Sequence, residues 1–192
     1  MYQRFCFLAM MWVTLIGLQG CANMAVTGAQ AVYNHHSLQK SFKDQYITLQ
    51  AYNTINLEDK RFKDTNIAIA TLNGEVLLAG EAPEPWQRAQ AEKMVKRIPD
   101  VRRVYNLVSI ASPSSALTRI SDAWITTKVK SRLIASSIVD ATQVKVVTEN
   151  GTVFLMGTLP PEQATAAIEV ARTTSGVETV VKLFSYIHIT KA

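Results

Sequence analysis

Residues that carry chemistry are scarce in this chain. Only two of its 192 residues are cysteines, Cys6 and Cys21, and both lie within the first 21 positions. The body of the chain can therefore form no disulfide and no thiolate zinc cage. Of three histidines, His35 and His36 are adjacent, a poor geometry for one metal ion, and His188 stands alone near the C-terminus. No metal and no cofactor are expected. No serine sits in a G-x-S-x-G elbow and no G-x-x-x-x-G-K-[ST] loop occurs, so catalysis has no residue to rest on and the chain reads as a non-enzyme. Glu81 and Glu84 flank a proline turn and read as surface charges rather than as a paired acid and base. Charge of one sign is also lacking. Residues 41–111 hold ten Lys/Arg against nine Asp/Glu, residues 112–192 hold eight against six, and the net charge is only +5. Nucleic acid is accordingly not an expected partner. The basic cluster Lys93, Lys96, Arg97, Arg102 and Arg103 has acids interspersed and reads as a solvated face.

Long apolar runs are absent too, except for Phe5 to Leu18, 14 residues that follow Arg4. That length suits a signal peptide and is short for a membrane span. The run leads into Leu18-Gln19-Gly20-Cys21, which resembles the lipobox of bacterial lipoproteins. The resemblance implies that residues 1–20 are a signal peptide and that Cys21 is the lipidated first residue of the mature chain. Ala22, rather than Asp, in the next position implies the outer membrane, with the protein anchored there and facing the periplasm. A doubly acylated anchor of this kind is stable where a single chain is not.

What the chain does have is a repeat. Asn73 to Gly80 (NGEVLLAG) returns as Asn150 to Gly157 (NGTVFLMG), Asp44 to Thr48 (DQYIT) as Asp122 to Thr126 (DAWIT), and Asp100 to Val104 (DVRRV) as Gly176 to Val180 (GVETV), at offsets of 77, 78 and 76. Three matches in one order mean two copies of one domain. Each copy opens on an amphipathic helix, marked by Ile47, Ala51, Ile55 and by Ile125, Val129, Leu133 at four-residue spacing. Two β-branched runs follow, joined by Asn-Gly, whose tolerance of positive φ suits a type I′ hairpin turn. Prolines then introduce a second helix that buries Ala91, Val95 and Ile98, or Ala164, Ala167, Ile168 and Ala171, before a final strand from Val104 or Val180. The expected fold is α+β: two tandem domains, each helix-strand-strand-helix-strand, with two helices packed on a three-stranded sheet. The boundaries read as a tether at 21–42, a first domain at 43–111, a Pro/Ser linker at 112–118 and a second domain at 119–192. A flexible tether of about 20 residues would span on the order of 25 Å.

The N-G-x-V-x-L-x-G hairpin and the G-V-x-x-V entry to the last strand are similar to those of the BON domain. The second copy keeps both, although Lys182 replaces the usual Asn; the first has Asp100 where Gly is usual, and Asp tolerates the left-handed conformation. With the lipobox, the whole chain resembles the dual-BON outer-membrane lipoproteins, most strongly over residues 119–157. The resemblance implies a role in outer-membrane integrity and binding of anionic phospholipid through the first helix of the second BON domain. The positions it carries over are Trp124 with Ile120, Ala123, Thr127, Lys128 and Ser131.

The residues of that helix support the same reading. At about 100° per residue, Trp124 falls about 140° from the direction of Ile125, Val129 and Leu133. At the equivalent positions the first copy has Tyr46, Gln50, Tyr52 and Thr54 where the second has Trp124, Lys128, Lys130 and Arg132. An indole among basic side chains suits a membrane interface, with phosphatidylglycerol or cardiolipin as the anionic partner and Arg119 at the helix entry able to contribute. The alternative is a protein-interaction adaptor docking an outer-membrane partner, with Trp124 at a domain or partner interface.

Overall fold

At both Asn-Gly pairs the chain turns back on itself with positive φ at each central residue: 53° and 75° at Asn73 and Gly74, 48° and 68° at Asn150 and Gly151. The computed structural model describes residues 28–57 and 60–187. The chain divides into two compact units, Met1–Gln39 and Lys40–Ala192, and both repeats lie in the second. Residues 1–20, expected as a signal peptide, Cys21 and His188 lie outside the described residues, as do the side chains of His35 and His36.

The first repeat runs α1 (Gly28–Tyr52), β1 (Asn66–Leu72), β2 (Glu75–Ala82), α2 (Pro85–Val95) and β3 (Arg103–Ile110). The second runs α3 (Ala116–Ile134), β4 (Val144–Glu149), β5 (Thr152–Leu159), α4 (Pro161–Arg172) and β6 (Thr179–Tyr186). Each sheet has its second strand in the middle, antiparallel to the first and parallel to the third. The parallel pair requires a crossover, which α2 and α4 supply. Two features differ from the sequence reading. Residues 28–42, expected as a flexible tether, are helical and continuous with the rest of α1; no proline interrupts them. The expected linker likewise gives way to α3 at Ala116, where the Ser115 hydroxyl accepts from the Thr118 N–H at 3.1 Å and caps the helix.

The repeated D-x-x-I-T segment is a fastening device. Both oxygens of the Asp122 carboxylate accept backbone N–H groups of the hairpin turn, Asn150 and Gly151, each at 2.9 Å. Asp44 does the same for Asn73 and Gly74 at 2.7 and 2.8 Å. Ile47 and Ile125 enter the two cores, while Thr48 and Thr126 donate to the strand hydroxyls of Thr71 and Thr148. Ala91, Val95, Ala164, Ala167 and Ala171 are buried as expected; Ile98 and Ile168 are only partly so. Asp100 adopts φ 66° and Gly176 φ 94°, so the aspartate does fill the left-handed position that glycine fills in the other repeat.

Gly80, the last residue of the first hairpin motif, has φ 106°, and a β-carbon there would stand 2.0 Å from the Asn66 carbonyl oxygen. The strands cannot pair as they do with any side chain at that position. Gly80→Ala is therefore expected to destabilise the first domain by at least about 2 kcal/mol, measured as a shift of the urea midpoint at unchanged m.

Side chains of the central strands alternate between two covers. Val76, Leu78, Val153 and Leu155 face the helices of their own repeat, whereas Leu77 and Ala79 meet Phe154 and Met156 in a third apolar cluster between the two sheets. The repeats thus stack sheet against sheet, with helices on both outer sides. The turn asparagines complete the junction reciprocally: Asn73 Nδ2 donates to the Thr158 hydroxyl at 3.2 Å, and Asn150 Nδ2 to the Glu81 carboxylate. Glu81 and Thr158 are equivalent positions, so the two repeats pack around a local pseudo-two-fold axis. Glu81 is 2% exposed, contrary to the reading of it as a surface charge. Its proline-turn neighbourhood looked solvated, but the second repeat covers it; Glu84 is exposed as expected.

Candidate functional site

Helix α3 carries apolar residues on two opposite sides, and only one of them has a core to enter. Ile125, Val129 and Leu133 are buried against β4, β5 and α4. On the other side, Leu117, Ile120, Trp124 and Ile134 are 79%, 59%, 66% and 74% exposed. Ala123, Thr127 and Ser131 are exposed between them. Spacings of three and four residues put this set on one stripe along the helix. Ile138 extends the apolar surface just beyond the helix end. Leu117, Ile134 and Ile138 were missed in the sequence, although the helical wheel places the first two on the outward half. The alternative that put Trp124 between the domains is overturned: the interdomain cluster is built from the strands, and the indole stands in the open.

The cations are distributed around the stripe, and most are held in place. Arg119 donates to the Ser114 carbonyl at the helix entry. Lys128 reaches the Ser175 carbonyl in the loop between α4 and β6. Arg132 donates to the same loop, at 2.9 Å to the Thr174 hydroxyl and 3.1 Å to that of Thr173. Lys130 is exposed and makes no contact of this kind among the described residues. None of the four forms an ion pair there; the partners of Arg119, Lys128 and Arg132 are carbonyls and hydroxyls, which orient a cation without neutralising it. The only acid on the helix, Asp122, is buried and engaged with the hairpin turn. The surface is therefore an apolar ridge flanked by Lys128, Lys130 and Arg132, while Arg119 at the helix entry also faces the Glu149 carboxyl.

The first repeat has an outward stripe at equivalent places on α1, Phe42, Tyr46 and Leu49, all exposed. Where α3 has Lys128, Lys130 and Arg132 it has Gln50, Tyr52 and Thr54, and Lys43 beside the stripe pairs with Asp100 at 3.8 Å. The basic cluster around Lys93 to Arg103 is exposed, with Lys96 paired to Glu92 at 2.5 Å. Among the described residues no group of three or more His, Cys, Asp or Glu side chains is placed to hold a metal ion, and no helix is long and apolar enough to cross a membrane.

Comparison with known proteins gives the same two-part division. The BON domain matches residues 43–112 and 121–187. Outer membrane lipoprotein DolP of Haemophilus influenzae is 32% identical over 185 residues, covering 94% of this chain and 95% of that protein. The 21 kDa hemolysin of Actinobacillus pleuropneumoniae is 40% identical over 137 residues, 71% of this chain and 70% of that one. Osmotically-inducible protein Y of Escherichia coli is 29% identical over 127 residues, 65% and 63% of the two chains. The chain belongs to the BON-domain family and carries two copies of the domain.

Proposed function

We propose that this protein is a lipid-anchored, non-enzymatic component of the outer membrane that docks on anionic phospholipid through α3 and supports the integrity of that membrane. The observation that carries the reading is the exposed Leu117–Ile120–Trp124–Ile134 ridge with Arg119, Lys128, Lys130 and Arg132 around it. Trp124 lies at headgroup depth with Ile120, Ala123, Thr127 and Ser131 beside it, and the cations meet lipid phosphates. The lipobox ending at Cys21 and the likeness to an outer membrane lipoprotein over nearly the whole chain support the anchor and the compartment.

The magnitudes describe a weak site made effective by proximity. Each basic residue near an anionic surface contributes roughly 1 kcal/mol, and a partly inserted indole about 1–3 kcal/mol. A sum of ~4–6 kcal/mol corresponds to dissociation constants of about 0.05–1 mM. An acylated Cys21 keeps α3 beside its own leaflet, so that binding of this strength need not capture the protein from solution. Anchor and helix then divide the work: the first selects the membrane and the second responds to its lipids.

The test is flotation of unlipidated residues 22–192 with vesicles of phosphatidylglycerol and cardiolipin or of phosphatidylcholine alone. Binding is expected only to the anionic vesicles, and a rise from 50 to 300 mM salt is expected to weaken it several-fold as the headgroup attraction is screened. A folded chain that floats with neither vesicle would overturn lipid docking and leave the ridge as a surface for a protein partner.

A further inference from the structure

Between the two repeats lies a polar cluster that lipid docking does not use. The Asn66 side-chain nitrogen stands 3.0 Å from Glu81 Oε2, 3.1 Å from Glu149 Oε2 and 3.1 Å from the Ser114 hydroxyl. Asn66 and Glu81 belong to β1 and β2 of the first repeat, and Glu149 ends β4 of the second. Glu81 is well supplied with donors: the Ser114 N–H at 3.1 Å, the Asn66 amide and the Asn150 amide. Among the described residues Glu149 has only the Asn66 amide it shares. Two acids from different domains thus converge on one amide, and the amide has two hydrogens for three acceptors.

We propose that the domain junction is a proton-dependent clasp, closed while Glu149 keeps its proton beside Glu81 and loosened when Glu149 gives it up. The charged groups facing Glu149 are Glu81 on β2 and Asp122 and Arg119 on α3. Two negative groups outweigh one positive one, and both oxygens of Asp122 are already taken by the hairpin turn. A second negative charge on Glu149 meets repulsion in a partly desolvated place. Burial first, then the charges of Glu81 and Asp122, push the Glu149 carboxyl from 4.5 up to about 7, against the pull of Asn66 and Arg119. Because the folded-state value is raised, the contribution to stability is complete below about pH 4.5 and is lost as pH rises through about 7. Arg119 and Asp122 sit on the same helix as Trp124, so the clasp closes against the base of the docking helix.

The experiment uses the full-length chain in detergent. From pH 6 to pH 8 the folding equilibrium is expected to fall by up to about tenfold, seen as a drop of roughly 2–4 °C in thermal midpoint. Glu149→Gln, which mimics the protonated form, is expected to flatten that slope. Carboxyl 13C resonances of the unsubstituted chain provide a second readout that does not depend on the variant folding. One glutamate is expected to titrate with a midpoint near 7, with the side-chain amide signals of Asn66 and Asn150 moving in step. An undiminished slope in a folded Glu149→Gln, or amide signals indifferent to pH between 6 and 8, would overturn the clasp. Both readouts are independent of lipid.

Discussion

Trp124→Ala is expected to reduce partitioning onto phosphatidylglycerol–cardiolipin vesicles by about fivefold or more while leaving the fold intact. The indole is 66% exposed and packs into neither core, so its loss removes interfacial area without opening a cavity. Losing about 1–3 kcal/mol of insertion lowers an equilibrium constant roughly 5- to 150-fold. The unfolding free energy should move by no more than about 0.5 kcal/mol, as for other surface substitutions. Flotation and chemical denaturation on the same preparation separate the two effects. Trp124→Phe, which keeps an aromatic ring but loses the N–H, should fall between alanine and the natural residue. If Trp124→Ala floats as well as the unsubstituted chain, the ridge does not dock on lipid through its centre.

The largest loss of stability is expected at Asp122, two residues from Trp124 yet pointing the other way. Its carboxylate is 4% exposed and satisfies two turn amides at 2.9 Å each. Asp122→Ala leaves the Asn150 and Gly151 N–H groups without their acceptor in a site with little water. Charge-assisted hydrogen bonds of this kind contribute about 1.5–3 kcal/mol each. A net cost of ~3 kcal/mol is expected, concentrated in the second domain and measured by denaturant unfolding followed by far-ultraviolet circular dichroism. Asp122→Asn, which keeps one acceptor oxygen, should cost less. Asp44→Ala should also cost less, since Asp44 is only partly buried. Unlike Trp124→Ala, Asp122→Ala is expected to lose lipid binding and cooperative unfolding together. A second domain of unchanged stability would show that the turns hold without this fastening.

The repeat was legible because its segments recur in one order at nearly constant offset, and the hairpin turns and the outward indole because each depends on neighbours within a turn or two of chain. Asn-Gly encodes its own φ, and the position of Trp124 follows from the spacing of Ile125, Val129 and Leu133. The domain junction was harder to read, since it brings together residues about 70 to 85 positions apart, such as Asn66 with Glu149 and Asn150 with Glu81. One signal was available. Val76 to Ala79 and Val153 to Met156 are unbroken apolar runs, the mark of strands covered on both faces, and a sheet with helices on one side only would not need them. Glu81 was misread for the same reason: its burial comes from the other domain. The holding of Lys128 and Arg132 by the loop at 173–175 was equally hidden, because contacts spanning more than 40 residues leave no local pattern.

The order of layers has a consequence for what the molecule can touch at one time. Helices lie outermost on both sides of the paired sheets, so the ridge on α3 and the Phe42–Tyr46–Leu49 stripe on α1 look in opposite directions. A bilayer is flat on the scale of a domain about 25 Å across. Once a leaflet holds Trp124, the same leaflet is geometrically barred from the aromatic stripe of the first repeat, which then looks into the aqueous compartment. Duplication followed by back-to-back stacking has turned one kind of helix surface into two that never compete for the same plane.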